Sequence, residues 1–244
     1  QTVFPPLVGF VAAAVAWQLG LGLFVPLFLL LAGLVWITVP DDATTTGGSG
    51  LSLADSRAAL GQLRTKSMGL VTVVLFVYIL VWQSFTGFYP TYLVDVKHFS
   101  PSVAGTVFAL FFGVGVVVKP LAGAAYDRIG MRGSLLAVLV GPVFALAALP
   151  FIEGFWTIVG VTAIVSTMLG SGAITQSYLA DTIPEEIRGT GLGVVRTTAA
   201  TLGSAGPVLF GILADNGFFD EAYLVLAALM VLIVVLTFQM PRTD

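Results

Sequence analysis

Long apolar runs separated by short polar breaks set the pattern of this chain. Residues 1–39 carry no charge. A membrane-crossing helix needs about 20 residues, so this run holds more than one. The break falls at Trp17-Gln18, where an aromatic and a polar residue suit a membrane–water interface. Residues 1–16 therefore read as the end of one helix and 19–39 as a full return span. Pro40-Asp41-Asp42 stops that span, and 44–50 is a polar linker of the flexible kind. Residues 51–66 set Leu53, Ala54, Leu60 and Leu63 against Asp55, Arg57, Arg64 and Lys66, which predicts a short amphipathic helix on the membrane surface. Residues 68–94 are uncharged and long enough to tilt. Asp95-Val96-Lys97-His98 makes a brief loop, and Ser100-Pro101 opens the next helix. Further spans follow at 102–123, 134–152, 155–179, 190–214 and 221–240. The pattern predicts an all-α polytopic transmembrane helix bundle with seven full spans and one partial span.

Composition strengthens that picture. The chain is 57% hydrophobic and 9% charged, against about 25% charged in a soluble domain. Lipid is its solvent. It has no cysteine, which excludes a disulfide framework, thiol catalysis and thiolate metal sites. A single histidine, His98, leaves no basis for a histidine-built metal site. Net charge is −3, so nucleic acid is not an expected partner. No secretory signal is visible. The chain opens at Gln1 and is apolar by Val3, which reads as a chain cut inside a transmembrane segment.

The basic residues orient the spans. Alternation places 41–67, 124–133, 180–189 and 241–244 on one side, with Arg57, Arg64, Lys66, Arg128, Arg132, Arg188 and Arg242. Opposite loops hold Lys97 and are otherwise acidic, with Asp95, Glu153, Asp215, Asp220 and Glu221. The positive-inside rule makes the Arg128 loop and the C-terminus cytoplasmic, in a multi-pass protein of the cell membrane.

A dense charged knot, Gly123-Ala124-Ala125-Tyr126-Asp127-Arg128-Ile129-Gly130-Met131-Arg132, sits between two apolar runs. Residues 101–126 carry one charge, Lys119, and 133–152 carry none. Glycine serves where the backbone must fold back without Cβ interference. Asp127 can accept bonds from N–H groups at a neighbouring helix start, and Arg128 and Arg132 can hold carboxylates or lipid phosphates. The spacing of Gly123, Asp127, Arg128, Gly130 and Arg132 resembles the signature loop of the major facilitator superfamily, which joins the second and third helices of each six-helix half. Asp181 to Gly193, with Pro184-Glu185-Glu186-Ile187-Arg188-Gly189, is similar to the family's turn before helix eleven. Gly206-Pro207-x-x-x-Gly211 resembles its Gly-Pro-rich helices. Pro5-x-Leu7-x-Gly9-x-x-Ala12 also recurs, offset by 202 residues, as Pro207-x-Leu209-x-Gly211-x-x-Ala214. Parallel repeats of six helices build such carriers.

The resemblance implies a division into four parts. Residues 1–40 would be the end of an amino-terminal bundle and 41–67 a cytoplasmic linker with its amphipathic helix. Residues 68–240 would be a carboxy-terminal six-helix bundle and 241–244 a cytoplasmic tail. The partners it implies are a small-molecule solute, the lipid bilayer, a coupling ion such as H+, and amino-terminal helices of the same chain absent from this sequence. It also implies a gate in which Asp127 engages a facing helix, with Glu185, Glu186 and Arg188 joining the charge network.

Transport of this type needs no covalent chemistry, so no catalytic residue, cofactor or metal is expected. An intramembrane enzyme would need clustered acids or a Ser/His pair within spans, which this sequence lacks. Candidates for the solute pathway are polar or aromatic groups inside spans, because uncompensated polarity in lipid is expensive. Tyr78, Trp82, Phe85 and Tyr89 recur at i, i+4, i+7 and i+11 on one helix face, with Gln83 and Thr86 beside them. This face reads either as an aromatic cavity wall, at Tyr78, Trp82 and Gln83, or as helix packing. Thr167, Ser171 and Thr175 form a polar stripe, with Gln176 near its end. Small-residue packing is the commoner use of such a stripe. Arg196, about two turns into its span, could meet an anionic solute, pair with a carboxylate elsewhere, or snorkel. No Asp or Glu lies mid-span to bind and release a proton. The expectation is a secondary-active transporter of a small solute, with a lean towards organic anions. The alternatives are an exporter of hydrophobic compounds and a non-transporting scaffold or receptor on the same fold.

Overall fold

The computed structural model describes residues 24–38, 65–183 and 188–240, with Gly22, Gly61 and Glu185 besides. The partial span at 1–16, the Trp17-Gln18 break, the linker, nearly all of the amphipathic helix, Glu186 and the 241–244 tail lie outside the described residues. The chain divides into a unit at 1–61 and a unit at 62–244. In the first, α1 spans Phe24–Thr38 and is apolar from Val25 onward.

The second unit is built of helices and short turns, with no strand among the described residues. Helix α2, Lys66–Asp95, starts where the Thr65 hydroxyl accepts the Met68 N–H at 3.2 Å. Its 30 residues run about 45 Å at 1.5 Å per residue, so it must tilt to fit a hydrocarbon layer of about 30 Å. Helix α3 is recorded as Pro101–Ala148, capped by Ser100 with Pro101 in the first turn. Forty-eight helical residues cannot be one span. The backbone leaves helical geometry at Gly130, with φ 69° and ψ 178°, a conformation that glycine alone adopts without strain. The segment is thus two helices hinged at the charged knot. A 3-10 turn, Leu149–Phe151, closes the second.

Two spans expected to be continuous are interrupted. The first divides into α4, Phe155–Val165, a 3-10 segment at Ser166–Leu169, and α5, Gly170–Thr182. Hydroxyls explain the change of pitch. Ser166 donates to the Thr162 carbonyl at 2.7 Å and Thr167 to the Ile164 carbonyl at 2.8 Å, drawing carbonyls away from the regular ladder, and Thr167 also reaches the Val138 carbonyl of α3 at 2.9 Å. The second divides into α6, Arg188–Gly203, and α7, Ala205–Asp215. Pro207 has no N–H to give the Gly203 carbonyl and its ring crowds that position, so the helix breaks at Ser204. Helix α8, Phe219–Phe238, completes the unit, with Asp220 and Glu221 at its positive end. Among the described residues, five stretches are long and apolar enough to cross a membrane, at Ser67–Asp95, Pro101–Phe151, Phe155–Thr182, Gly191–Asp215 and Phe219–Phe238. The first span in the charged-knot pair shares Pro101–Phe151 with the second, on either side of Gly130.

Helix α3 packs against α4, α5 and α8, while α2 packs against α6, α7 and α8. An aromatic cluster ties α2, α3, α7 and α8 together. Phe85 stacks on Tyr89 at 4.5 Å, meets Phe111 at 5.0 Å, and Tyr92 and Phe210 close on Tyr223 at 4.4 and 5.3 Å. Phe85, Tyr89, Tyr92, Phe111 and Tyr223 are fully buried. Tyr89 also shares a short hydrogen bond with Thr162 of α4. Such bonds between membrane helices average about 0.6 kcal/mol, and each aromatic pair is worth roughly 0.5–1.5 kcal/mol beyond area burial. Ring packing therefore stabilises this core more than hydrogen bonding does.

The two ends of the unit are held differently. At one, the Tyr92 hydroxyl donates to Asp220 Oδ1 at 2.7 Å, with the Leu149 carbonyl at 3.3 Å as a second acceptor. Lys97 Nζ donates to the Pro150 and Ile152 carbonyls at 3.2 and 2.9 Å and lies 5.4 Å from the Tyr92 ring centre. The other end gathers the basic residues of the charged knot. There Ser67, Val71, Met131, Tyr178 and Met240 line one small gap.

Candidate functional site

At the basic end, the knot is anchored by groups beside its charges. Tyr126 donates to Asp181 Oδ2 at 2.8 Å, fastening the hinge of α3 to the last turn of α5. The Arg132 guanidinium lies over the Phe238 ring at 5.1 Å, fastening it to the end of α8. Asp127 and Arg128 are exposed, and among the described residues neither makes a side-chain hydrogen bond or ion pair. Gly130 supplies the reversal, whereas an added Cβ at Gly123 would meet nothing within 4 Å. Arg188 bonds back to the Ile183 carbonyl at 3.4 Å, bracing the turn ahead of α6, and Glu185 on that turn is exposed. Asp181 and Tyr126 were not marked as partners by the sequence. The signal was present in their places, one residue before Asp127 and at the head of the Pro-Glu-Glu turn.

The pathway candidates separate into two groups along α2. Phe85 and Tyr89 belong to the aromatic core. One to two turns towards the basic end, Tyr78 is buried with its hydroxyl beside Ser171 of α5. The geometry closes no good bond, and Ser171 Oγ is buried without a hydrogen-bond partner. Trp82 is half-buried and its indole Nε1 is likewise buried and unpaired, while Gln83 is half-buried with no side-chain hydrogen bond among the described residues. An unpaired N–H or O–H in an apolar setting costs about 1–3 kcal/mol.

Beside them lies an open cleft of about 260 Å³ between α2, α5 and α6. Leu75 and Ile79 of α2, Leu179 of α5 and Ala200 of α6 form its apolar walls, and Gly172 and Thr175 complete its α5 side. Its polar feature is a single bridge. Arg196 Nη2 donates to Gln176 Oε1 at 2.7 Å, joining α6 to α5. Arg196 lies eight residues after Arg188, about 12 Å along α6, and Gln176 six residues before Thr182, about 9 Å along α5. Both therefore sit roughly 10 Å inside the basic end. The cleft brings together Arg196 and the end of the Thr167, Ser171, Thr175 stripe, which sequence left apart.

A family model described as the Major Facilitator Superfamily matches residues 1–205. The chain belongs to the major facilitator superfamily. Membership agrees with the apolar helices in placing the chain among multi-pass membrane proteins. Among its relatives, the multidrug resistance protein MdtG of Proteus mirabilis is 24% identical over 133 residues, 54% of this chain and 33% of that protein. MdtG of Rahnella sp. is 24% identical over 134 residues, 55% and 32%. The class C tetracycline resistance protein of Escherichia coli is 30% identical over 127 residues, 51% and 32%. The matched stretch thus spans about a third of each relative's length.

Proposed function

We propose that the chain is part of a secondary-active carrier that exports small organic compounds across the cell membrane. Residues 68–240 would rock as one helix bundle against a second, with the charged knot as the cytoplasmic gate. The observation that carries this reading is the cleft beside Arg196. It is an apolar-walled recess, open to one side, with one polar bridge between Arg196 and Gln176. Ligand sites have this character, mostly apolar with a few placed polar groups. At about 260 Å³ it lies just below the roughly 300–1,000 Å³ of a drug-sized site, so it would hold one end of a solute rather than all of it. The names of the relatives, multidrug and tetracycline resistance proteins, favour export of organic compounds over uptake of a nutrient.

In this scheme Asp127 and Arg128 engage the facing bundle when the inner side is closed, and Tyr126 and Arg132 carry that engagement to α5 and α8. Movement of the hinge at Gly130 would then reach the cleft through the Tyr126–Asp181 contact. The test is counterflow in proteoliposomes holding the full-length parent, loaded with uncharged, cationic and anionic aryl compounds in turn. Exchange of labelled solute is expected for at least one class. No exchange for any class, in protein shown to be folded, overturns the proposal.

A further inference from the structure

Resting on that reading, the geometry points to an amphipathic organic anion as the solute, with its anionic group held between Arg196 and Gln176 and its apolar body against Leu75, Ile79, Leu179 and Ala200. Free hydrogen-bond donors are what the cleft has to offer. A guanidinium has five N–H donors and no acceptor. One of Arg196's is spent on Gln176 Oε1 at 2.7 Å. That bond uses the amide's acceptor and leaves its NH2 free to donate, so both members of the bridge offer hydrogens and neither offers a negative charge. Thr175 is neutral and directs its hydroxyl hydrogen back onto the Ser171 and Gly172 carbonyls at 2.8 and 3.2 Å.

Charge leads to the same ligand. The partner of Arg196 is a neutral amide, and no carboxylate among the described residues pairs with it. A full positive charge therefore stands about 10 Å inside the basic end of the bundle, facing an apolar recess. An exposed guanidinium whose partner is neutral keeps its charge and its remaining N–H donors for a counter-ion. A carboxylate or phosphate suits the planar fork of a guanidinium, which holds it through two parallel bonds. The apolar walls next to the fork then favour a hydrophobic body joined directly to the anionic group, rather than an inorganic anion.

The same residues set the order of binding. Arg196 is exposed, so the anion docks first, and the Gln176 amide then fixes its orientation across α5 and α6. Gln176 acts as a positioning residue as well as a donor, since without it the guanidinium would be free to snorkel towards the basic end.

The experiment uses the purified full-length parent and three isosteric probes: labelled 2-naphthoate, 2-naphthamide and 2-naphthylmethylammonium. Equilibrium binding should favour the carboxylate over the amide by about tenfold or more. Arg196→Gln should weaken naphthoate about 10–100-fold and leave naphthamide within about threefold. It should also tighten binding of the ammonium probe, which a general loss of structure would not do. Gln176→Leu, which keeps the charge, should weaken naphthoate by about 3–10-fold. Equal binding of carboxylate and amide, equal loss of both in Arg196→Gln, or no naphthoate binding at all overturns the assignment. Failure of every compound in the counterflow assay would strike the export reading instead. Export that ignores solute charge would strike this inference alone.

Discussion

Substitution at Gly206 tests how α7 is held against α2. An ideal Cβ built there would lie 2.6 Å from the Leu80 carbonyl oxygen, 2.7 Å from Ser84 Oγ and 2.9 Å from Leu80 Cγ. Carbon–oxygen contacts of even the weakly attractive kind begin near about 3.3 Å, so α7 would have to move by about 0.7 Å. A backbone oxygen inside a helix cannot swing aside. Ser84 cannot easily leave either, since its hydroxyl donates to that same Leu80 carbonyl at 2.8 Å. The site also lies two residues past the Ser204 break, where α6 joins α7, so the strain falls on the joint. Overpacking of this size costs about 1–3 kcal/mol. For a domain of 150–250 residues each kcal/mol moves Tm by about 2–4 °C, so Gly206→Ala should lower Tm by roughly 2–12 °C. The assay is thermal melting of the full-length parent in detergent, followed by tryptophan emission. The control is Gly87→Ala, where an added Cβ meets nothing within 4 Å. That change should be neutral or stabilise by up to about 1 kcal/mol, through helix propensity. If Gly206→Ala melts no lower than its parent while Gly87→Ala behaves as expected, the close approach of α7 to Leu80 is wrong.

Three further outcomes follow from the two ends of the bundle. Asp127→Asn should slow solute exchange by more than it weakens solute binding, and equal loss in both assays would count against a gating role. Tyr126→Phe removes the donor to Asp181 and should reduce the exchange rate several-fold while lowering Tm by no more than about 6 °C, since an exposed hydrogen bond contributes only about 0.5–1.5 kcal/mol. Tyr92→Phe should destabilise by about 1.5–3 kcal/mol, the worth of a hydrogen bond to a charged group, and Tyr92→Phe combined with Asp220→Asn should cost little more than either change alone. Additive losses in that double mutant would mean that the two groups are not coupled.

Much of the architecture was legible in the order of residues because lipid imposes a coarse and severe rule. Charge must stay out of the hydrocarbon, so uncharged runs report spans and clustered arginines report one end. Ser100-Pro101 announced the start of α3, and the spacing from Gly123 to Arg132 carried the family. The same rule is blind to events inside a span. The hydroxyls of Ser166 and Thr167 bend the ladder by bonding to the Thr162 and Ile164 carbonyls, and the Ser204 break depends on where Pro207 falls relative to Gly203; neither changes the apolar run.

The candidate site shows the same division. One-dimensional spacing placed Tyr78, Trp82, Phe85 and Tyr89 on a common face, and could not say that Phe85 and Tyr89 vanish into an aromatic core while Trp82 keeps an unpaired N–H. Arg196 stood out by charge alone. Gln176 was visible at the end of its polar stripe, but nothing in the sequence joined it to Arg196, 20 positions away on another helix. The sequence by itself determined that this chain lives in a membrane, as helices, with its arginines gathered at one end. Only the tertiary structure decided which polar groups meet, because a hydrogen bond depends on ångström distances between helices that no linear pattern records.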